Sequence, residues 1–231
     1  MEREIYVIIV AGGSGVRMGG NIPKQFLDLG GRPILRMSIE LMTAALPSAK
    51  IITVLPKEYI SYWKDYCLKT NFSVPQMVVK GGITRFHSVK NALAKVPDGA
   101  IVAVHDAVRP LVSAQLVQEL VRKAAETGSA IPVVPAIDTL RVLEERDGVL
   151  CSSPQTIDRS RIYAVQTPQV FWSEILSEAY GQAFDTAFTD DATVVEKNGK
   201  PLSYVLGERF NIKITTAEDL FLAEAIIQKK D

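Results

Sequence analysis

A glycine-rich segment that directly follows an apolar run constrains this chain more than any other feature. Residues 5–10 are apolar and mostly β-branched, as in a buried parallel strand, and residues 11–25 include five glycines. Open α/β sheets bind ligands where such strands end, and glycine lets a ligand approach the backbone closely. Because Arg17 and Lys24 lie in this segment, the pattern predicts a cradle for a polyphosphate. The alternative is an ordinary turn with two solvated cations.

Two known phosphate-binding motifs do not fit this segment. A Walker loop requires Gly, four residues and then Gly-Lys-Ser/Thr, whereas Asn21 follows Gly20 in the nearest match. A dinucleotide-binding fingerprint that starts at Gly13 requires Gly or Ala at the position of Met18. The segment is therefore not predicted to be a P-loop, and a redox enzyme with a nicotinamide cofactor is disfavoured.

The composition is that of a globular protein whose surface carries no overall positive charge. Of the 231 residues, 47% are hydrophobic, and 26 Lys and Arg balance 26 Asp and Glu. Zero net charge argues against nucleic-acid and membrane-surface partners, and no apolar run approaches the length of a membrane span. Two cysteines, Cys67 and Cys151, form no pairing framework, which favours a reducing compartment. We expect one cytoplasmic domain, residues 1–231.

Alternating strand and helix patterns predict an α/β fold with a mostly parallel sheet. After the first run, strands are predicted at residues 50–55, 75–79, 100–104, 129–134, 162–166, 202–206 and 211–214. One helix is predicted after Pro33, and another begins within residues 80–88 and continues to about residue 95. The other helices are predicted at residues 57–69, 113–127, 172–184, 189–198 and 217–229.

This alternation stops after Pro135, where a different element is predicted. Two β-prone runs, residues 138–144 and 149–151, flank the Asp147-Gly148 pair that is typical of a hairpin turn. The region of about residues 138–166 is either an excursion of the sheet edge or an arm that packs on another subunit. We favour the arm.

Three further segments contain candidate functional residues. Residues 80–88 form a second glycine segment that opens a helix near Ser88, and this segment could bind an anion or a base edge, or be a plain turn. Asp106 ends a strand on the same sheet edge as the first segment, which indicates a Mg²⁺ ligand; the alternatives are a helix cap or an ion pair with Arg109. Lys213 either reaches this edge or lies on the surface.

Two other groups of polar residues have structural interpretations. Asp190 and Asp191 are adjacent and could bind a metal, but they precede a helical pattern, so we favour helix capping. His87 and His105 are too few and too separated for a zinc site. For His105 we expect a structural hydrogen bond.

Six separated motifs span nearly the whole chain: Ala11-Gly12-Gly13…Arg17…Pro23-Lys24-Gln25, Gly81-Gly82…Arg85…Ser88, His105-Asp106…Arg109-Pro110, Asp138-Thr139, Thr167-Pro168-Gln169 and Asn211-Ile212-Lys213. Taken together, and in this order, they resemble the 2-C-methyl-D-erythritol 4-phosphate cytidylyltransferases and their close relatives, the ribitol-5-phosphate cytidylyltransferases. Each motif alone is weak, but their joint occurrence is specific.

The resemblance implies a doubly wound, Rossmann-like sheet with a protruding hairpin arm, and a homodimer with a shared active site formed through that arm. It implies a cytosolic, Mg²⁺-dependent transfer of CMP from CTP to 2-C-methyl-D-erythritol 4-phosphate in non-mevalonate isoprenoid synthesis. The same transfer to ribitol 5-phosphate is the alternative. A non-catalytic nucleotide sensor is disfavoured because Arg17, Lys24, Asp106 and Lys213 are all present.

The resemblance also implies roles for individual residues. The residues that it implies for CTP binding are Ala11, Gly12, Gly13, Gly82, Ser88 and Asp106, with Asp106 beside the metal. Transition-state stabilisation is implied for Arg17 and Lys24, and positioning of the attacking phosphate for Arg159 and Lys213. The remaining acceptor contacts are Arg109, Thr139 and Thr167. Arg159, rather than Arg161, is placed by counting back from the Thr167-Pro168 motif.

Overall fold

A mixed sheet covered by helices on both faces forms the centre of the computed structural model, which describes residues 3–12 and 22–229. The strands are β1 (Ile5–Val10), β2 (Asp28–Leu29), β3 (Arg32–Pro33), β4 (Lys50–Leu55), β5 (Gln76–Lys80), β6 (Ile101–Asp106), β7 (Ser129–Pro135), β8 (Leu143–Arg146), β9 (Val149–Ser152), β10 (Tyr163–Val165), β11 (Gln169–Trp172) and β12 (Tyr204–Leu206). The α-helices are α1 (Ile34–Ala45), α2 (Ile60–Lys69), α3 (Arg85–Leu93), α4 (Ala114–Thr127), α5 (Ser173–Ala179), α6 (Asp191–Lys197) and α7 (Ala217–Gln228).

The strand order of the main sheet is β10-β7-β11-β6-β1-β4-β5, and β12 pairs with β7. Strands β6, β1, β4 and β5 are mutually parallel, whereas β11 runs antiparallel to both β6 and β7. Val10 at the end of β1 lies opposite Val54 of β4 and Asp106 of β6. The carboxyl ends of these strands therefore meet at one edge, which we call the carboxyl edge. The predicted doubly wound α/β sheet is confirmed.

Alternating residues of β1 explain why helices cover both faces of the sheet. Val7 and Ile9 pack into a core that also contains residues of α1, α2 and α4. Tyr6 and Ile8 pack into a second core that contains residues of α3, α5 and α6. A strand that is buried on both faces needs a continuous apolar sequence, which is what β1 has. In the described part of the chain, no helix has both the length and the apolar character needed to cross a bilayer.

One predicted element is wrong and another is shorter than predicted. The helix predicted at residues 172–184 begins at Ser173 but ends at Ala179, and residues 169–172 before it pair with β6 as strand β11, which the sequence does not predict. The strand predicted at residues 211–214 is irregular backbone. Its groups bond to loops instead of a neighbouring strand: the Ile214 N–H donates to the Val108 carbonyl at 2.8 Å.

The predicted hairpin is confirmed, but it is shorter than the predicted arm. Strands β8 and β9 form a separate two-stranded sheet. Asp147 and Gly148 both have positive φ angles (53° and 77°), as a two-residue type I′ turn requires. Strand β10 falls within the predicted arm, yet it pairs with β7 in the main sheet. The separate hairpin is therefore limited to residues 143–152.

Candidate active site

Two adjoining cavities lie at the carboxyl edge. The first cavity, of about 380 Å³, is lined by residues that follow β1, by the start of α3 and by the end of β6. The second cavity, of about 310 Å³, extends towards β10, β11 and α6. Both are lined by Arg85, Asp106 and Lys213. These three side chains, contributed by distant parts of the sequence, therefore connect the two cavities into one site.

The buried hydroxyl of Ser88 links the two glycine segments. It accepts a hydrogen bond from the Gly82 N–H at 3.0 Å and donates to the Thr84 carbonyl at 2.9 Å. A Cβ atom at Gly12 would lie 3.0 Å from this hydroxyl, and one at Gly82 would overlap the Cβ of His87. The overlap with His87 explains why position 82 needs glycine, and the contact with Ser88 favours glycine at position 12.

Lys24 is positioned by its neighbour Gln25. The buried amide of Gln25 donates to the Ala11 carbonyl at 2.8 Å, which ties the short helical turn of Lys24–Phe26 to the end of β1. Lys24 consequently lines the first cavity, together with Gly12. Two other residues predicted for this side of the site, Gly13 and Arg17, lie outside the described residues.

Three cations surround the carboxylate of Asp106. The Lys213 Nζ lies 2.8 Å from Oδ2, the Arg85 Nε lies 3.4 Å from Oδ1, and the Arg109 Nε lies 3.9 Å from Oδ2. Burial alone raises the pKa of Asp106, but the nearby charges of Arg85 and Lys213 outweigh burial and hold the pKa well below its usual value. Asp106 is therefore ionised at neutral pH, and the cluster keeps an excess of positive charge.

Lys213 reaches Asp106 because the irregular segment that contains it is fixed at both ends. On one side, the Arg109 Nη1 donates to the Asn211 carbonyl at 2.7 Å. On the other side, Ile214 bonds to the Val108 carbonyl and is completely buried. Lys213 therefore reaches the carboxyl edge, although 43% of its side chain stays exposed.

A chain of hydrogen bonds behind the site fixes the protonation state of His105. Its Nε2 lies 3.1 Å from the Arg109 carbonyl, which can only accept, so Nε2 carries the proton. Nδ1 then accepts from the Thr167 hydroxyl at 3.1 Å, and this hydroxyl accepts from the Asp106 N–H at 3.0 Å. Burial lowers the pKa of His105 to about 4. The expected structural role of this neutral histidine is confirmed.

A second carboxylate, which the sequence did not identify as part of the site, holds Arg85 from behind. Asp191 accepts from the Arg85 Nη1 at 3.0 Å and Nη2 at 2.6 Å, and from the Tyr180 hydroxyl at 2.6 Å. The adjacent Asp190 accepts from the Thr193 N–H and caps α6. Helix capping is thus confirmed for Asp190, whereas Asp191 belongs to an ion pair that no local sequence pattern indicates.

Comparison with known proteins identifies the family. The model of the family described as 2-C-methyl-D-erythritol 4-phosphate cytidylyltransferase matches residues 5–229. The chain belongs to this family. Relatives named 2-C-methyl-D-erythritol 4-phosphate cytidylyltransferase include one from Bacteroides thetaiotaomicron, 46% identical over 96% of this chain and 98% of its own length. Another, from Porphyromonas gingivalis strain W83, is 45% identical over 98% of this chain and 99% of its own length.

Solved structures of cytidylyltransferases show the same fold. The 4-diphosphocytidyl-2C-methyl-D-erythritol synthase of Anaerococcus prevotii is 28% identical, with a TM-score of 0.78 over 98% of this chain and 99% of its own. The 2-C-methyl-D-erythritol 4-phosphate cytidylyltransferase of Thermus thermophilus is 31% identical, with a TM-score of 0.73 over 99% of this chain and 100% of its own. The family and the cytidylyltransferase class predicted from the six motifs are therefore confirmed, and the protein is a nucleotidyltransferase.

The structure of this cytidylyltransferase brings most, but not all, of the predicted site residues together. The first or second cavity is lined by Ala11, Gly12, Lys24, Asp106, Arg109, Thr167 and Lys213. Arg159 is exposed and donates to the Ile137 carbonyl at 2.7 Å, and Thr139 is also exposed. Within the described residues, neither Arg159 nor Thr139 lines either cavity of its own chain, and neither do Gly82 and Ser88, which were predicted to bind CTP.

Proposed function

We propose that this protein transfers CMP from CTP to 2-C-methyl-D-erythritol 4-phosphate and releases pyrophosphate. The observation on which the proposal depends is the convergence of Lys24, Arg85 and Lys213 around two joined cavities at the carboxyl edge. One cavity lies against the glycine segments and suits the nucleotide, and the other lies against Arg109 and Thr167 and suits the acceptor. Lys213, beside both, is suited to position the acceptor phosphate.

The reaction needs charge stabilisation rather than a general base. A phosphate monoester has its second pKa near ~6, so the acceptor phosphate is already largely a dianion at neutral pH. It attacks the α-phosphorus of CTP, and the bond to pyrophosphate breaks. The obstacle is the approach of two polyanions, which Lys24, Lys213 and, from the sequence, Arg17 offset by stabilising the charge that spreads over the phosphoryl oxygens. His105, neutral and fully hydrogen-bonded, takes no part in proton transfer.

A Mg²⁺ ion that arrives with CTP would share the Asp106 carboxylate with Lys213, whose Nζ lies 2.8 Å from Oδ2. Mg²⁺ is commonly bound by one or two carboxylates together with substrate phosphates, and Asp106 supplies one ionised carboxylate that lines both cavities. Among the described residues, no cluster of three or more His, Cys, Asp or Glu side chains could hold a metal without the substrate. Asp106 would hold the ion, which when bound neutralises negative charge on the phosphates.

A homodimer in the cytoplasm completes the proposal. Thr139 and Arg159 are exposed in the region leading to and from the hairpin of β8 and β9, away from their own cavities. In a dimer formed through this arm, the arm of one subunit would supply these residues to the acceptor cavity of the other. In that arrangement, one subunit alone has an incomplete acceptor site, and two subunits together complete it.

Pyrophosphate release by the purified protein tests the proposal. The assay contains Mg²⁺, each of the four nucleoside triphosphates in turn, and either 2-C-methyl-D-erythritol 4-phosphate or ribitol 5-phosphate. We expect turnover with CTP and the methylerythritol phosphate. Turnover with ribitol 5-phosphate but not with the methylerythritol phosphate would show that ribitol 5-phosphate is the acceptor. No turnover with either acceptor would support a nucleotide sensor.

Two further measurements test the metal and the dimer. Omission of Mg²⁺ should abolish turnover, and light scattering should give the mass of a dimer.

A further inference from the structure

The completely buried carboxylate of Asp191 lines neither cavity and makes no direct contact with the space proposed for the substrates. Capping does not account for it, because Asp190 already caps α6. A buried carboxylate is unfavourable unless it is paired and hydrogen-bonded, and Asp191 has three donors: two from Arg85 and one from Tyr180. This full set of partners indicates that the position of Arg85 depends on Asp191.

Arg85 stands between two carboxylates and is not held equally by them. Its two terminal nitrogens bond to Asp191 at 3.0 and 2.6 Å, and only Nε faces Asp106, at 3.4 Å. A guanidinium group is planar, so a two-point bond to Asp191 fixes the plane of the whole group. The Oδ2 atom of Asp106 is consequently left to Lys213, which lies 2.8 Å away.

Loss of the Asp191 charge would redistribute these contacts. Asp106 is then the remaining carboxylate beside Arg85, and the terminal nitrogens would turn towards it. Arg85 would compete with Lys213 for Asp106 and would change its position in both cavities, because it lines both. A change in the position of a group in the site by about 1 Å can cost about 10²-fold in rate.

We propose that Asp191 is a positioning residue of the transfer reaction, which acts by fixing the Arg85 guanidinium between the two cavities and leaving Asp106 to Lys213. The inference rests on the proposed function for its reaction, but it concerns a residue that lines neither cavity. Tyr180 supports Asp191 by a third hydrogen bond. The three residues come from α3, α6 and the end of α5, so the site depends on how these helices pack.

A double-mutant cycle on Asp191 and Arg85 tests the proposal. Asp191→Asn keeps the shape of the side chain and removes its charge, and we expect it to lower kcat/KM by about 10²-fold. Arg85→Gln should have a similar effect. If Asp191 acts through Arg85, the double variant should be no slower than Arg85→Gln alone. The double variant also lacks the buried and unpaired Asp191 charge that Arg85→Gln alone leaves.

Further variants keep the test decisive if Asp191→Asn folds poorly. Tyr180→Phe preserves the ion pair and removes one hydrogen bond, so it should cause a smaller loss of kcat/KM that disappears in the Arg85→Gln background. Glu174→Gln is the matched control, because it removes the carboxylate of the Arg3–Glu174 ion pair, which lines neither cavity. Its rate of pyrophosphate release should equal that of the wild type.

Multiplicative losses in the double variant, or wild-type kcat/KM for Asp191→Asn, would overturn the role of Asp191. Calorimetric binding of CTP separates this result from failure of the proposed function. A wild-type protein that binds CTP but releases no pyrophosphate would contradict the proposed reaction. The same cycle, measured on CTP affinity, would still test Asp191: we expect its substitution to weaken CTP binding only when Arg85 is present.

Discussion

The carboxyl edge and the hairpin of β8 and β9 are built in opposite ways. At the edge, charged side chains are largely buried and bond to partners far away in sequence, as do Arg85 and Asp191, which are 106 residues apart. In the hairpin, the strands bond to each other, and Val149 and Leu150 expose 62% and 67% of their surface. In the proposed dimer, a second subunit would cover these apolar groups. The edge is therefore held by contacts within its own chain, whereas the hairpin leaves apolar side chains exposed.

The largest expected effect comes from unbalancing the buried charges at the edge. Asp191→Asn removes the fully buried partner of Arg85, and loss of one partner of a buried ion pair costs about 3–5 kcal/mol; because Arg85 keeps Asp106 and is 25% exposed, we expect a loss of about 3 kcal/mol or less. Urea unfolding should show this decrease in the free energy of unfolding. Tyr180→Phe, which leaves both charges in place, should cost about 1 kcal/mol. Equal losses for the two variants would show that the charge pair does not organise the edge.

Substitution of a cation that lines the first cavity should affect the rate instead of the fold. Lys24→Ala should reduce turnover by about 10²–10³-fold, because a preorganised donor to the transition state is lost, with a much smaller change in CTP affinity. Arg17→Ala should behave in the same way. Steady-state kinetics and calorimetry measure the two quantities, and Lys64→Ala on the exposed face of α2 is the control. Unchanged turnover for Lys24→Ala would contradict its assigned role.

A charge on the hairpin should separate subunits without unfolding them. Leu150→Asp should change the free energy of unfolding of the monomer by no more than about 0.5 kcal/mol, because the side chain is exposed. Sedimentation should nevertheless show loss of the dimer, and turnover should fall with it. Leu68→Asp, at a leucine that is 77% exposed on α2, should leave both unchanged. A dimer that survives Leu150→Asp would place the interface elsewhere.

The smallest effect is expected at an ion pair outside both regions. The hydrogen bond from Arg3 lowers the pKa of Glu174 to about 2, from an ordinary value of 4.5. A lowered carboxyl pKa stabilises the fold above pH 4.5, and this contribution disappears as the pH falls towards 2. Because Glu174 is 42% exposed, the contribution is below about 1 kcal/mol.

Urea unfolding of Glu174→Gln at several pH values measures this contribution. The difference from the wild type should be present at neutral pH and absent near pH 2, and Arg3→Gln should show the same pH dependence. A difference of constant size across the pH range would rule out the linkage to Glu174.

The sequence predicted the parts of the site that depend on local patterns. The apolar run of β1 and the glycines after it indicated a strand end, and the run ending at Asp106 indicated a neighbouring parallel strand, so both were placed on one edge. The Asp147-Gly148 turn similarly predicted the hairpin. In each case a few consecutive residues determine the backbone, and the rules of parallel sheets supply the rest.

Contacts between distant segments could not be predicted in this way. Asp191 has the same local pattern as Asp190, and only the packing of α6 against α3 determines that one caps a helix and the other binds Arg85. Residues 169–172 carry no predicted strand, yet they complete the sheet beside β6. Lys213 was placed near the edge for the wrong reason, since loop contacts rather than a strand hold it there.

The contact of Ser88 with both glycine segments has a consequence for how sequences of this type can vary. A methyl group at position 12 would press on the Ser88 hydroxyl, and movement of that hydroxyl would break its bond to the Gly82 N–H. Positions 12 and 88, although far apart in the chain, are therefore coupled: a residue with a Cβ atom at position 12 requires the Ser88 hydroxyl to shift by a few tenths of an ångström.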